Sequence, residues 1–180
     1  MKLELKDFYR VMSPRLTVLV STADKDGNHN AAPFSFCMPV SIDPPLLAIA
    51  SAHKRHTLAN IKETGQFVVN IPGEMLVAAV EKCAEPLPKG ESEIIASGLA
   101  PGRSETIDAP FIQDAVAYFE CALEWVKDAG DHQIVVGRIL NAVVRDEYWS
   151  EDGFAFQEAM PLLHLSGRNF TAGDRLIMVP

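Results

Sequence analysis

What the sequence has little of excludes several classes at once. Cysteine occurs three times in 180 residues, at Cys37, Cys83 and Cys121. The number is odd and no C-x-x-C pair exists, so neither a disulfide framework nor a thiolate metal site is expected. These read as reduced thiols and small core residues. No stretch approaches the ~20 consecutive apolar residues of a membrane-spanning helix. The first residues, MKLELKDFYR, contain no signal-peptide core, so the expected location is cytoplasmic. Basic residues are in deficit: sixteen Lys and Arg against twenty-four Asp and Glu give a net charge of -8. A broad basic surface is thereby excluded, and neither nucleic acid nor membrane is an expected partner. The five histidines form no H-x-x-x-H or H-E-x-x-H spacing, so no metal centre is expected. There is no G-x-S-x-G elbow, no G-x-x-x-x-G-K-[ST] loop and no G-x-G-x-x-G turn. Serine hydrolysis, Walker-type nucleotide hydrolysis and Rossmann nicotinamide binding are disfavoured together.

Apolar residues make up 48 % of the chain and charged residues 22 %, the balance of an ordinary globular protein. That suits one domain over residues 1–180. Leu16 to Ala23, LTVLVSTA, is β-branched and apolar, and runs into the polar turn Asp24-Lys25-Asp26-Gly27-Asn28. HNAAPFSFCMPVS follows, and two strands about an Asp-Gly turn are a strong hairpin signal. Ser41-Ile42-Asp43-Pro44-Pro45 breaks the pattern, and Leu46 to Ser51 reads as a third, buried strand. Three short strands in about fifty residues predict a mainly β barrel or sandwich with short helices. Thr57 is placed to cap a helix of about two turns closed by Gly65. Gln66 to Ile71 returns to a strand, Glu74 to Ala84 has helical spacing, and about 85–110 reads as a long loop excursion. Ala115 onward and Gln133 onward read as long β segments, and two more short strands are expected between Pro161 and Pro180.

Three constellations could carry chemistry. In His53-Lys54-Arg55-His56-Thr57, basic side chains crowd together in an acidic chain, between a strand end and a helix start. Backbone N–H groups, a helix dipole and cationic side chains make such a place an anion site, with the Ser51 and Thr57 hydroxyls completing it. A solvated basic turn is the competing reading. In Asn30 to Phe36, NAAPFSF, small residues would let a planar ligand approach the backbone. Phe34 and Phe36 filling a core is the competing reading there. The third is Gly130-Asp131-His132, whose His gains weight only beside the other two.

Taken in order, LTVLVSTADKDGNHNAAPFSF, PVSIDPPLLAIAS, HKRHTLANIKETGQFVVNI, the Ala109–Ile112 and Phe119–Cys121 pieces and GDHQIVVGRI resemble the flavin reductase-like, FMN-binding split-barrel family, which includes the flavoredoxins. The resemblance implies a six-stranded Greek-key split β-barrel working as a homodimer with FMN near the subunit interface. It implies that Asn30, Ala32, Pro33, Phe34, Ser35 and Phe36 line the flavin ring. It implies that Ser51, His53, Lys54, Arg55 and Thr57, with Asn60 following, hold the phosphate, and that His132 contacts NADH or NADPH. His56 departs from relatives that are acidic before the phosphate-loop threonine. The activity implied is hydride transfer from NAD(P)H to FMN and on to free flavin, ferric iron or a redox partner protein. The flavin would do the chemistry, so no catalytic side chain is assigned. An FMN-binding electron carrier that never meets a nicotinamide is the alternative, and a cofactor-free interaction module a third reading.

Overall fold

In the computed structural model the chain is described over residues 1–88, 90–173, 175 and 177. The strands are β1 (Arg15–Leu16), β2 (Val18–Ala23), β3 (His29–Phe34), β4 (Cys37–Ser41), β5 (Leu46–Ala52), β6 (Gln66–Ile71), β7 (Pro101–Gly102), β8 (Phe111–Ile112), β9 (Ala117–Ala129), β10 (His132–Val144), β11 (Trp149–Ser150), β12 (Gly153–Phe154), β13 (Leu162–Ser166) and β14 (Asn169–Ala172). The α-helices are α1 (Phe8–Val11), α2 (His56–Thr64), α3 (Val77–Lys82), α4 (Glu93–Ala96) and α5 (Phe156–Ala159). The mainly β class with short helices is as expected.

The expected Asp-Gly hairpin is β2–β3. Asp24 Oδ1 accepts the N–H groups of Asp26 and Asn28, both at 2.9 Å, and Gly27 takes φ 82°, which a β-carbon disfavours. The apolar run beginning at Leu16 divides. Arg15 and Leu16 pair with His164 and Leu163 of β13, and only from Val18 does the chain join the main sheet. The count expected from resemblance is corrected. The main sheet has seven strands in the order β3-β2-β6-β9-β10-β5-β4, and its edge strands β3 and β4 do not pair, so the sheet is open. A three-stranded sheet, β1-β13-β14, lies apart from it.

Val18, Val20, Ile49, Leu58, Ile61, Phe67, Val69 and Val135 form one buried cluster between the curled sheet and α2. Gly137 lies opposite Phe67: a β-carbon there would stand 2.4 Å from Phe67 Cζ, so only glycine admits the ring. Leu19 points the other way, as strand alternation requires. It joins Ala31, Val80, Cys83, Ile94, Leu99, Ile112 and Leu162 in a second cluster.

The 85–110 excursion, irregular over most of its length, packs against that second cluster. The segment contains α4, and its β7 pairs with β8. Polar bonds to two fully buried side chains, Asn70 and Glu120, fasten it to the sheet. Asn70 accepts the Ile112 N–H at 2.8 Å while donating to Leu19 O and Ser21 Oγ, both at 2.9 Å. Glu120, fully buried, accepts the N–H groups of Glu105 (3.0 Å) and Thr106 (2.7 Å), the Thr106 hydroxyl and the Asn141 amide (3.2 Å). Burial pushes the Glu120 carboxyl up, but those hydrogen bonds outweigh it and hold the group below its ordinary value.

Thr57 is not the cap of α2. The helix starts at His56, with Arg55 at the N-cap position and no side chain capping it, and ends at Gly65 as expected. The two strands expected after Pro161 are β13 and β14; the part of that expectation falling on 174, 176 and 178–180 lies outside the described residues. No described helix is long and apolar enough to cross a membrane.

Candidate functional site

A cavity of about 420 Å³ opens where β3, the end of β5, the start of α2 and the start of β10 converge. Its size falls in the range of small-ligand sites. One wall is β3. Within the main sheet this strand pairs only with β2, so its other edge is free, and Pro33, which has no N–H to give, sits there without cost. The side chains of Ala31, Ala32 and Pro33 are small, and backbone is approachable along this wall.

One end of the cavity is the start of α2. The helix has nine residues, and its first-turn N–H groups have no capping side chain. Lys54 and Arg55 line the cavity beside them and make no ion pair among the described residues. Uncapped N–H groups, a helix dipole and two unpaired cations are the parts of which anion-binding places are built. Ser51 and Thr57 are both buried at its floor. In the orientation that satisfies both ends, the Asn30 amide oxygen accepts from Thr57 Oγ1 (2.9 Å) and the Ala31 N–H (3.1 Å), and its nitrogen donates to Glu93 Oε2 (3.3 Å). Asn30 thus ties strand, helix start and α4 together.

At the other end β3 runs into Ser35 and Phe36. The Phe36 ring lies 5.6 Å from the His132 ring and 5.6 Å from the Arg15 guanidinium carbon. His132 Nδ1 donates to Asp131 Oδ1 at 2.7 Å, which leaves Nε2 as the ring's remaining polar atom. That bond, and then the charge of His132, hold the Asp131 carboxyl below its ordinary range. Arg15 reaches Tyr9 O, Met12 O and Leu165 O, and its Nη2 lies 3.3 Å from His164 Nδ1. His164 Nδ1 also lies 3.2 Å from Ser35 Oγ.

Ten residues singled out for cofactor binding line this one cavity: Asn30, Ala32, Pro33, Phe34, Ser35, Phe36, Ser51, Lys54, Arg55 and Thr57, with His132 beside them. Two lie outside the lining. His53 Nε2 bonds Gly130 O at 3.2 Å, tying the basic loop to the β9–β10 turn. Asn60 donates to Thr22 Oγ1 at 3.0 Å beneath the cavity floor. Tyr9, Arg15, Ala31, Ala50, Ala52, His56, Glu93, His164 and the Cys83–Leu87 segment complete the lining without having been singled out for cofactor binding. Ala31 and His56 sit inside the two motifs. Arg15 and His164 are 149 residues apart and meet only through β1–β13 pairing, which no local signal announces. Among the described residues no group of three or more His, Cys, Asp or Glu is placed to hold a metal.

Residues 10–173 match the flavin reductase-like domain family, and the chain belongs to that family. Among solved structures it is similar to nitrilotriacetate monooxygenase component B from Bacillus cereus. Identity is 29 %, TM-score 0.89, and 99 % of this chain and 95 % of that one are covered. It is also similar to 2-nitrobenzoate 2-nitroreductase from Pseudomonas fluorescens, at 31 % identity and TM-score 0.87, covering 99 % and 92 %. Flavoredoxin of Desulfovibrio vulgaris (Miyazaki F) shares the fold at 22 % identity and TM-score 0.87, covering 99 % and 97 %.

Proposed function

We propose that the chain binds FMN in this cavity and passes hydride equivalents from NADH or NADPH through it to free flavin, ferric iron or a redox partner. The observation that carries the reading is the cavity's division: an uncapped helix start with Lys54 and Arg55 at one end, and the flat, small-residue wall of β3 at the other. The donor set fits the cofactor. A dianionic phosphate suits the first end, and a planar heterocycle with both donors and acceptors suits an unpaired strand edge.

When bound, FMN supplies the two-electron chemistry. The chain's own groups bind and orient. Lys54, Arg55, Ser51 and Thr57 hold the phosphate; Ala32, Pro33, Phe34 and Ser35 face the ring; His132, steadied by Asp131, offers a polar atom to the nicotinamide. No side chain needs to act as acid or base.

Homodimerisation belongs to the same reading. Cross-strand register puts Trp125, Val136, Ala48 and Met38 in one row on the face of the sheet opposite the core row of Val126, Val135, Ile49 and Cys37, with Val136 and Ala48 already buried and the two ends of the row exposed. Met38 is 60 % exposed and Trp125 39 %, apolar surface suited to a second copy. Use of a nicotinamide donor and three free thiols suit a cytoplasmic protein.

The test is an FMN titration followed by anaerobic addition of NADH or NADPH. Saturable binding and bleaching of the yellow absorbance are expected. Binding without bleaching would favour the electron carrier, and no binding would overturn the reading.

A further inference from the structure

Arg15 is a cation without a counter-ion at the ring end of the cavity. Four contacts engage its terminal nitrogens, all with neutral acceptors: Tyr9 O, Met12 O, Leu165 O and His164 Nδ1. His164 Nε2 donates to Gly167 O at 3.0 Å, so Nδ1 is left to accept from Arg15 and Ser35. The guanidinium Nε is shielded from solvent and has no partner. No ion pair among the described residues involves Arg15. Its guanidinium faces the Phe36 ring, and Arg15 itself lines the cavity.

The cavity therefore has two cationic ends. At about 3.3 Å per residue, Asn30 and Phe34 stand roughly 13 Å apart along β3. Lys54 and Arg55 answer the phosphate, whereas oxidised FMN offers Arg15 neutral acceptors and no opposite charge, because the oxidised ring is neutral. Hydride transfer changes that. The dihydronicotinamide C4–H bond breaks, hydrogen and both electrons go to the ring, the nicotinamide leaves as a cation, and the ring keeps one additional negative charge. A fixed cation beside a partly buried ring favours that charged state.

We propose that Arg15 is a positioning residue for flavin chemistry, whose uncompensated charge makes the cavity prefer reduced FMN over oxidised FMN. The inference rests on the FMN reading above. His164 and the three carbonyls set where the charge stands, and Phe36 keeps solvent from one face of it.

The experiment measures dissociation constants for oxidised and dithionite-reduced FMN, anaerobically, in wild type, Arg15→Met and Arg15→Lys. The ratio of the two constants is the readout, since loss of packing weakens both alike. Arg15→Met is expected to lose at least tenfold of the preference for reduced FMN, equal to about 30 mV for a two-electron couple. Arg15→Lys is expected to recover most of it. Should Arg15→Met fail to fold by circular dichroism, Arg15→Gln, which removes the charge but keeps donors, replaces it. An unchanged ratio in the uncharged variant, or a Lys variant that follows the uncharged one, overturns the role given to Arg15. If wild type takes up FMN, the cofactor reading survives either result; if wild type takes up none, both fall.

Discussion

Replacing Lys54 and Arg55 together by alanine tests the phosphate end. A hydrogen bond to a charged group contributes about 1.5–3 kcal/mol. Two such contacts set an upper range of about 3–6 kcal/mol. Both side chains are exposed, so solvent and salt screen them. Cutting the lower figure by half for screening leaves about 1.5 kcal/mol, slightly more than tenfold in affinity. The uncapped N–H groups of α2, with Ser51 and Thr57, remain in the double variant, so binding should weaken rather than vanish. The assay is quenching of flavin fluorescence on titration, run with FMN and with riboflavin, which lacks the phosphate. FMN should lose at least tenfold and riboflavin little. The FMN loss should shrink as salt rises from 0.05 to about 0.5 M, because the Debye length contracts. Equal weakening of both ligands, or an unchanged FMN constant, would refute the phosphate assignment.

Three further outcomes are expected. Gly137→Ala should destabilise by about 1–3 kcal/mol in urea melts, because its β-carbon would meet the buried Phe67 ring at 2.4 Å and Cys121 Cβ at 3.1 Å. Glu120→Ala should cost about 1–2 kcal/mol by leaving the part-buried N–H groups of residues 105 and 106 without their acceptor. The Glu120 carboxyl sits below its unfolded value of 4.5, so its stabilisation is complete above that pH and lost as pH falls through the lower folded value. Hydrogen exchange at the Glu105 and Thr106 amides should quicken in step, and wild-type acid sensitivity that survives in Glu120→Gln would contradict this. Burial raises the Cys37 thiol to about 12 and pushes Cys121 up as well, so neither should be alkylated by iodoacetamide at pH 8 in the folded protein. Mass spectrometry showing rapid labelling of either would count against the described core.

Much of the site was legible because two of its components are local. A strand of small residues with a proline and a strand–basic loop–helix junction are each written in fewer than ten consecutive residues. In the second, the uncapped helix start and the two cations beside it are neighbours in sequence. The hairpin at Asp24–Asn28, strand β6 and the end of α2 at Gly65 were legible for the same reason: turn chemistry and apolar runs act between near neighbours. The cap of α2 was misread by two residues, since the Thr57 hydroxyl bonds Asn30 rather than its own helix. His53 shows the limit of a composition argument. It belongs to the basic run, yet its ring is spent on Gly130 O.

The sequence by itself determined the mainly β class, the motif order and the two ends of a cavity, because hydrophobic alternation, turn residues and a helix start depend on residues close in the chain. Tertiary structure alone decided that the sheet has seven strands and stays open, since pairing partners are chosen by register across long separations. It alone brought Ile94, Leu99 and Ile112 into a second core, where Leu19 needed covering on the far side of β2. It also brought Arg15 to His164, because a two-strand bridge from one end of the chain to the other leaves no trace in local pattern.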